Sequence, residues 1–241
     1  MPELTLLSET GKLTRQSLAL VPTPTGTATH RPIPHIEVVN RLIEKLSLRR
    51  IDVVAEEYAV SKDGGNMFGV MELDQGIHGG RFALGIRNSH NKQFRLSIVV
   101  GMRVFVCSNL CFSGDFEAVV AKHTKHLDLS AALSVGIDSM QEQFEPMRQA
   151  VYNWRASHIT QEFAKLQIYR AFVEEELDAP KHLAKDVHRL YFHPEQEEFD
   201  EPTLYSLNNA FTSAFKRLEP IPLYRATADF GRFFNTVGTG N

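Results

Sequence analysis

The sequence predicts an α+β fold, with an antiparallel sheet in the N-terminal half packed by helices and a mostly helical C-terminal half. Segments rich in β-branched residues with alternating polarity occur between about residues 50 and 126, and apolar residues recur at helical spacing from about residue 128 to 218. Strands that come first and helices that follow favour this class over the β-α-β order of a parallel sheet. We expect residues 35–241 to form a single α+β domain.

The first 34 residues are predicted to form an extended arm. They show little apolar periodicity, and four prolines between positions 22 and 34 disfavour a helix and favour extended backbone. Apolar residues return at helical spacing from His35, so the segment HIEVVNRLIEKLSL is predicted to form an amphipathic helix that ends near Ser47.

Strands are predicted next along the chain. They are Ile51–Val60, Met67–Leu73, Arg81–Ser89 and Phe94–Val106, with DFEAVVAKH after Gly114 as a candidate for one more. The glycine-rich segment Lys62–Asn66 offers the left-handed positions that a hairpin turn needs.

The register of the third and fourth strands follows from their alternation. Both apolar faces must be buried on one side of the sheet, which places Leu84, Ile86, Ile98 and Val100 together. A three-residue loop at Asn91–Gln93 pairs Ile86 with Ile98, whereas a two-residue loop would oppose apolar and polar side chains. We therefore expect the three-residue loop.

The C-terminal half is predicted to consist of helices. The first is LSAALSVGIDSMQEQFEPMRQAVYNW, with Asp128 as its N-cap and Pro146 expected to kink or restart it. Further helices are predicted at Thr160–Leu177, Ala179–Tyr191 and Thr203–Leu218.

Composition excludes several classes of protein. The formal net charge is −3, so the chain is not a generally basic nucleic-acid coat, and 43% hydrophobic with 23% charged residues is ordinary for a globular protein. No stretch approaches the roughly 20 apolar residues that span a bilayer, and the start MPELTLLSETGK lacks leader features. We expect a cytoplasmic protein without membrane association, and two cysteines indicate no disulfide scaffold.

Charge is unevenly distributed along the chain. Between Asp74 and Asp115 there are five basic residues and no acidic one, whereas residues 174–201 carry ten acidic residues against three basic ones. On the predicted register four arginines lie on one face of two neighbouring strands, where they repel one another unless an anion or carboxylates compensate. The predicted nucleic-acid or anion-binding residues are Arg81, Arg87, Ser89, His90, Lys92, Arg95, Arg103 and Phe105. The alternative is a face that is solvated or paired with the acidic C-terminal helices.

Motifs for metal, nucleotide or covalent chemistry are weak. Cys107, Cys111, His123 and His126 approach the spacing of a structural zinc site, but the two histidines are closer in sequence than usual. No phosphate-loop pattern occurs, and nothing around either cysteine favours a nucleophilic thiolate. We expect no metal, no cofactor and no catalytic residue. His90 either closes its turn through hydrogen bonds to the backbone or presents a donor to an anion.

One block of the sequence resembles a known family. The block ALGIRNSHNKQFRLSIVVGMRVFVCSNLCFSGD is similar to phage- and plasmid-borne proteins of domain-of-unknown-function family 932, which share an R-N/S-S-H-D/N turn, a glycine in the next strand and a V-C-S/T-N signature. The matching segments here are 87–91, Gly101 and 106–109, and Asn91 stands where aspartate is expected. The resemblance implies a mobile-element setting and no particular reaction.

Two functions remain open at this point. The first is a non-enzymatic module that binds single-stranded DNA or another nucleic acid through the basic face, in replication, recombination or anti-defence, with Phe105 stacking on a base. The second is an enzyme or small-anion binder that uses the Arg87–His90 turn and the Cys107–Asn109 segment. Because a straight strand would separate these two segments by about 40 Å, we favour the binding module, with a protein partner or homo-oligomer left open.

Overall fold

The computed structural model describes residues 13–77, 80–104, 109–218 and 220–239, and gives the backbone alone for 77, 102–104, 109–116 and several positions of the last helix. It confirms the α+β class, with a five-stranded antiparallel sheet in the N-terminal half and a mostly helical C-terminal half. The chain divides into two compact units. The sheet unit holds the described residues up to 77, 81–101 and 116–144, and the helical unit holds the others.

The elements follow the predicted order. The strands are β1 Val53–Val60, β2 Asn66–Ile77, β3 Gly80–Ser89, β4 Leu96–Val104 and β5 Asn109–Ala121. The helices are α1 Arg15–Leu18, α2 His35–Ser47, α3 Leu129–Ala156, α4 Gln161–Phe172, α5 Leu183–Phe192, α6 Leu204–Phe215 and α7 Pro220–Thr239, with a 3-10 turn at Glu197–Phe199. Among the described helices, none is both long enough and apolar enough to cross a membrane.

The five strands lie side by side in sequence order. β1 and β2 pair antiparallel from Val53 opposite Leu73 to Val60 opposite Met67. Their turn places Gly64 at a φ of 70°, and its N–H donates to the Ser61 carbonyl over 2.8 Å. This is the left-handed conformation that glycine adopts without steric cost.

The alternating pattern of β3 and β4 is confirmed by burial. Leu84, Ile86, Ile98 and Val100 are all buried, because each places its side chain on the core face of a pleated strand. Phe82 extends this row, and its ring stacks on that of Phe144 from α3 with centroids 4.2 Å apart.

Helix α3 approaches the sheet most closely at Gly136. A Cβ built there would lie 2.3 Å from Val119 Cγ2 and 2.5 Å from the Ala118 carbonyl oxygen, both in β5. Arg49, just beyond α2, donates to Asp138 of α3 over 2.6 Å. The absence of a side chain at position 136 therefore sets how closely α3 packs on β5.

Three local predictions differ from the structure. β3 and β4 are joined by the six residues 90–95 rather than by three, because side chains of this segment build a wider turn. α3 continues through Pro146, so the restart expected there as one of two alternatives does not occur, while the kink stays a prediction. Buried residues Met140, Phe144, Met147 and Val151 keep their helical spacing on both sides. α7 was not predicted, since Pro220, Pro222 and its glycines obscure the apolar spacing of its later residues.

The helical unit has its own aromatic core. Phe211 of α6 contacts Phe172, Phe215, Phe230 and Phe233 through ring pairs with centroids 5.3 to 6.4 Å apart. Thr160 and Thr203 cap α4 and α6 with their hydroxyl groups, in line with the predicted starts of these helices.

Candidate functional site

A stack of two histidines fixes the end of β3 to the arm and to the turn between β1 and β2. The rings of His35 and His90 lie 3.8 Å apart. Asn88 Nδ2 donates to His35 Nδ1 over 2.8 Å and to the Ile33 carbonyl over 3.0 Å. His35 Nε2 donates to the Gly64 carbonyl over 3.1 Å, and His90 Nε2 donates to Ile33 over 2.9 Å. Both imidazoles therefore carry a proton on Nε2, and the bond from Asn88 keeps Nδ1 of His35 unprotonated.

Burial keeps this stack uncharged. Desolvation, reinforced by the neighbouring His90, lowers the pKa of His35 to about 4. The pKa of His90 is also lowered by burial. The two rings thus hold the base of the turn as hydrogen-bonding groups rather than as cations.

The turn at residues 90–95 is built by its own polar side chains. The Ser89 hydroxyl donates to Asn91 Oδ1 over 2.6 Å, and the Gln93 N–H donates to both of these side chains over 3.2 Å. Asn66 Nδ2 donates to Gln93 Oε1 over 2.6 Å. Lys92 adopts a positive φ of 65°. This network fixes the turn and leaves Lys92 exposed.

The arm adds a further pair of histidines. His30 forms an isolated antiparallel bridge with Thr124, just after β5, and the Arg31 N–H donates to the His123 carbonyl over 3.2 Å. The rings of His30 and His123 meet edge to face with centroids 5.8 Å apart. The arm is thus tied by its backbone to the end of the last strand, which brings His30 beside His123.

A groove of about 680 Å³ lies between these segments. Its volume is within the range of ligand-binding clefts. The lining residues come from the arm, β3, the turn and the end of β5: Thr29, His30, Arg87, Ser89, Lys92, Gln93, Phe94, Arg95, Glu117, Val120, Lys122, His123 and Thr124. Among the described lining residues, four cations, Arg87, Lys92, Arg95 and Lys122, face one carboxylate, Glu117, which gives this part of the lining a net charge of +3 with neutral histidines.

The four cations differ in how they are held. Arg87 Nη2 lies 3.9 Å from Glu117 Oε1, and its guanidinium sits 5.5 Å from the centre of the Phe94 ring. Glu117 also accepts a hydrogen bond from Ser97 over 3.1 Å. Lys92, Arg95 and Lys122 are exposed and form no ion pair within the described part of the chain. Arg87 is thus positioned by neighbours, while the other three cations face solvent.

The rings of the histidine pair in the groove find no hydrogen-bond partner among the described residues. His30 is 6% exposed and His123 is 8% exposed. All four ring nitrogens are buried, and no described residue hydrogen-bonds them. Desolvation lowers the pKa of His123 to about 4 and also lowers the pKa of His30, where Lys92 adds to the effect. Such buried, unsatisfied polar groups are rare in folded proteins and are costly.

The structure brings some of the predicted residues together and separates others. Arg87, Ser89, Lys92 and Arg95 line the groove. His90 lies in the buried stack, which corresponds to the turn-closing alternative for that residue.

Of the remaining predicted residues, Arg81 lies outside the groove, and the Arg103 side chain and Phe105 fall outside the described part of the chain. Arg81, near the start of β3, lies 3.7 Å from Glu72 and does not line the groove. The side chain of Arg103, together with Phe105, Cys107 and the side chains of Asn109 and Cys111, is outside the described residues.

The groove residues that sequence reasoning missed include His30, Lys122 and His123. They lie far from the basic segment in sequence, and only the strand order and the arm bring them close to it. His123 was noted only as a candidate zinc ligand. The described residues contain no group of three metal-binding side chains, and the absence of zinc stays a prediction.

The acidic stretch at residues 174–201 pairs with basic side chains of the helical unit itself. Its ion pairs are Glu175 with Lys181, Glu176 with Arg170, Asp186 with Arg217, Glu195 with Arg189, and Glu198 with Arg155. The two carboxylates found beside predicted binding arginines, Glu72 and Glu117, come from the sheet unit.

Comparison with known families places the whole groove inside one domain. The family model described as Domain of unknown function (DUF932) matches residues 27–232, which is well over half of the chain. The chain belongs to this family. The matched region of this family member starts within the arm and includes every groove residue from Thr29 to Thr124. The comparisons with curated proteins and with solved structures gave no match.

Proposed function

We propose that this protein is a non-enzymatic module that binds single-stranded nucleic acid through the groove. The observation that carries the proposal is the convergence of Arg87, Lys92, Arg95 and Lys122 on one cleft with a single carboxylate. Phosphate contacts by lysine and arginine supply most of the affinity of sequence-independent nucleic-acid binding. A formal charge of −3 over the whole chain does not oppose this, because the acidic residues are concentrated elsewhere.

The lining of the groove favours a single strand over a duplex. A narrow positive groove that follows a flexible backbone, with an aromatic ring on which a base can stack, is the common design of single-strand binders. Phe94 lines the groove and is partly exposed, so it can take the role that the sequence suggested for Phe105. Arg87 beside this ring adds a cation–π contact.

The biological setting is part of the proposal. The turn and V-C-S/T-N signatures resemble those of phage- and plasmid-borne proteins, and single-stranded DNA arises during the replication and recombination of such elements. We therefore assign the protein a role in replication, recombination or anti-defence of a mobile element. A small-anion binder is the alternative, since the groove volume suits a small ligand as well.

The test is a salt titration of binding to oligothymidylate, oligouridylate and a DNA duplex. With up to four phosphate contacts, log K should fall against log salt with a slope of about −3 for the single strands. The double variant Arg95→Ala/Lys122→Ala removes two exposed groove cations and should reduce the magnitude of the slope by about 1.4. The matched control Arg81→Ala/Lys125→Ala removes the same charge outside the groove and should leave it unchanged.

Three outcomes would contradict the proposal. Absence of binding to all three nucleic acids at low salt would leave a small anion as the better ligand. Equal losses in the two double variants would show that total charge, and not the groove, governs binding. Tighter binding of the duplex than of either single strand would contradict the assignment to single strands.

A further inference from the structure

The positive charge of the groove does not explain why the rings of His30 and His123 are buried there without hydrogen bonds. Both rings are more than nine-tenths buried, both line the groove, and their four nitrogens meet no hydrogen-bonding group among the described residues. A neutral imidazole carries one donor and one acceptor, so each ring holds an unused N–H. The arm and β5 hold the pair in place through the His30–Thr124 bridge.

The charges around the pair are almost all positive. Arg87 approaches from β3, Lys92 and Arg95 from the turn, and Lys122 from the end of β5, while Glu117 is the one carboxylate among the described residues of the lining. The titratable rings of His35 and His90 lie close enough to interact electrostatically with His123. In this field a proton on either ring is disfavoured until an anion enters.

We propose that one backbone phosphate of the bound strand is anchored at the His30–His123 pair, and that the pair takes up a proton from solvent as this phosphate binds. The inference rests on the proposed function and adds a specific phosphate position to it. The bound phosphate supplies the negative charge that stabilises an imidazolium, and rotation of a ring about its Cβ–Cγ bond turns an N–H toward the phosphate oxygens. No covalent bond forms or breaks, and the proton returns to solvent on release.

Proton uptake distinguishes this anchor from the exposed cations. Lysine and arginine remain charged throughout the neutral and mildly acidic range, so phosphate contacts by these residues alone exchange no proton there. A pair whose pKa rises on binding makes affinity increase as the pH falls through the acidic range toward about 4, the pKa of His123 in the free protein. The two kinds of contact are therefore separable by calorimetry.

The experiment is calorimetric titration of the full chain with oligothymidylate at about pH 5.5, between the ordinary histidine pKa of about 6.5 and the lowered value of about 4, in two buffers of different ionisation enthalpy. We expect uptake of up to about one proton per site, seen as a buffer-dependent heat. The His30→Gln/His123→Gln variant should bind without proton uptake and with about tenfold lower affinity, as expected on loss of a charge-assisted contact. His126→Gln changes an exposed histidine outside the groove and should retain the wild-type uptake.

A second measurement uses only the wild-type protein, so it does not depend on the folding of the double glutamine variant. Ring-proton NMR titrations of wild-type protein should show two histidine resonances whose pKa rises when oligothymidylate is added, and inorganic phosphate alone should shift the same two. Wild-type binding with equal heats in both buffers, or with no histidine shift, overturns the anchor and leaves the proposed function intact. Complete lack of oligonucleotide binding by the wild-type protein removes both.

Discussion

The imidazole rings of His35 and His90 stack face to face, with centroids 3.8 Å apart and planes inclined by 4°. One ring is at the start of α2 and the other follows β3, so the stack joins α2 to the turn that carries Lys92. Asn88 donates to His35 Nδ1 and to the backbone of the arm, so one side chain holds both α2 and the arm. The buried polar part of the signature turn is thus structural, while its charged members face the groove.

Acid should destabilise the sheet unit through this stack. The folded protein holds the pKa of His35 at about 4, below the ordinary 6.5, so the unfolded chain binds more protons between these values. The stabilising contribution is complete above pH 6.5 and is lost progressively as the pH falls toward 4. We expect a loss on the order of 2–3 kcal/mol.

Hydrogen exchange of the β1–β5 amides can measure this loss, because the single Trp154 lies in the helical unit and does not report on the sheet. His35→Gln should reduce the pH dependence of the exchange protection without abolishing it, because His123, with a pKa of about 4, contributes in the same direction. His158→Gln, at an exposed position of the helical unit, should not. Equal protection at pH 7 and pH 5 in the wild-type protein would contradict the prediction.

Lys92→Gly should raise the stability of the folded protein but weaken its binding of nucleic acid. The positive φ of 65° at Lys92 is strained for a lysine and costs glycine nothing, so the variant should be more stable by about 0.5–1 kcal/mol. Loss of one groove cation should reduce the magnitude of the salt slope by about 0.7. Thermal unfolding and the salt titration measure the two effects, and Lys92→Ala, which keeps the strain, is the matched control.

Glu117→Gln should strengthen binding of single-stranded nucleic acid. The change removes the carboxylate near Arg87 and raises the net charge of the groove lining from +3 to +4, while the glutamine oxygen can still accept from Ser97. We expect affinity to rise by about fivefold at low salt, since a surface ion pair of this kind contributes up to about 1 kcal/mol. Glu142→Gln, on α3, removes the same charge outside the groove, and an equal gain there would contradict this assignment.

Gly136→Ala should destabilise the protein even though alanine is the better helix former. The added methyl would meet Val119 and the Ala118 carbonyl of β5 at distances below 3 Å, so α3 and the sheet must move apart. Overpacking of this kind costs about 1–3 kcal/mol, against a gain of about 1 kcal/mol in helix propensity. Val135→Ala, at an exposed neighbouring position, controls for propensity, and a rise in melting temperature for Gly136→Ala would contradict the close packing.

The sequence predicted most of the fold because its strands and helices carry clear periodicities. Leu84, Ile86, Ile98 and Val100 alternate strictly and are buried as expected. The length of the β3–β4 connection was wrong, since parity alone does not include the hydrogen bonds by which Ser89 and Asn91 widen the turn. The last helix was missed although Ala226, Phe230, Phe233, Phe234 and Val237 keep helical spacing.

The groove was only half predictable for a different reason. Arg87, Lys92 and Arg95 are close in sequence and could be grouped by charge. His30, Lys122 and His123 join them only through the pairing of the arm with the end of β5, which no local pattern encodes. Arg81 belongs to the same basic stretch but lies about six residues, or roughly 20 Å, along β3 from Arg87.

The backbone bridge between His30 and Thr124 sets the stage of folding at which the groove forms. Bringing these distant positions together closes a long loop, which costs chain entropy and is slow compared with the formation of a hairpin such as β1–β2. The groove is complete only after the arm has docked on the finished sheet. A ligand held there acts on the folding equilibrium itself, because it binds the completed arrangement alone and raises the free energy needed to detach the arm.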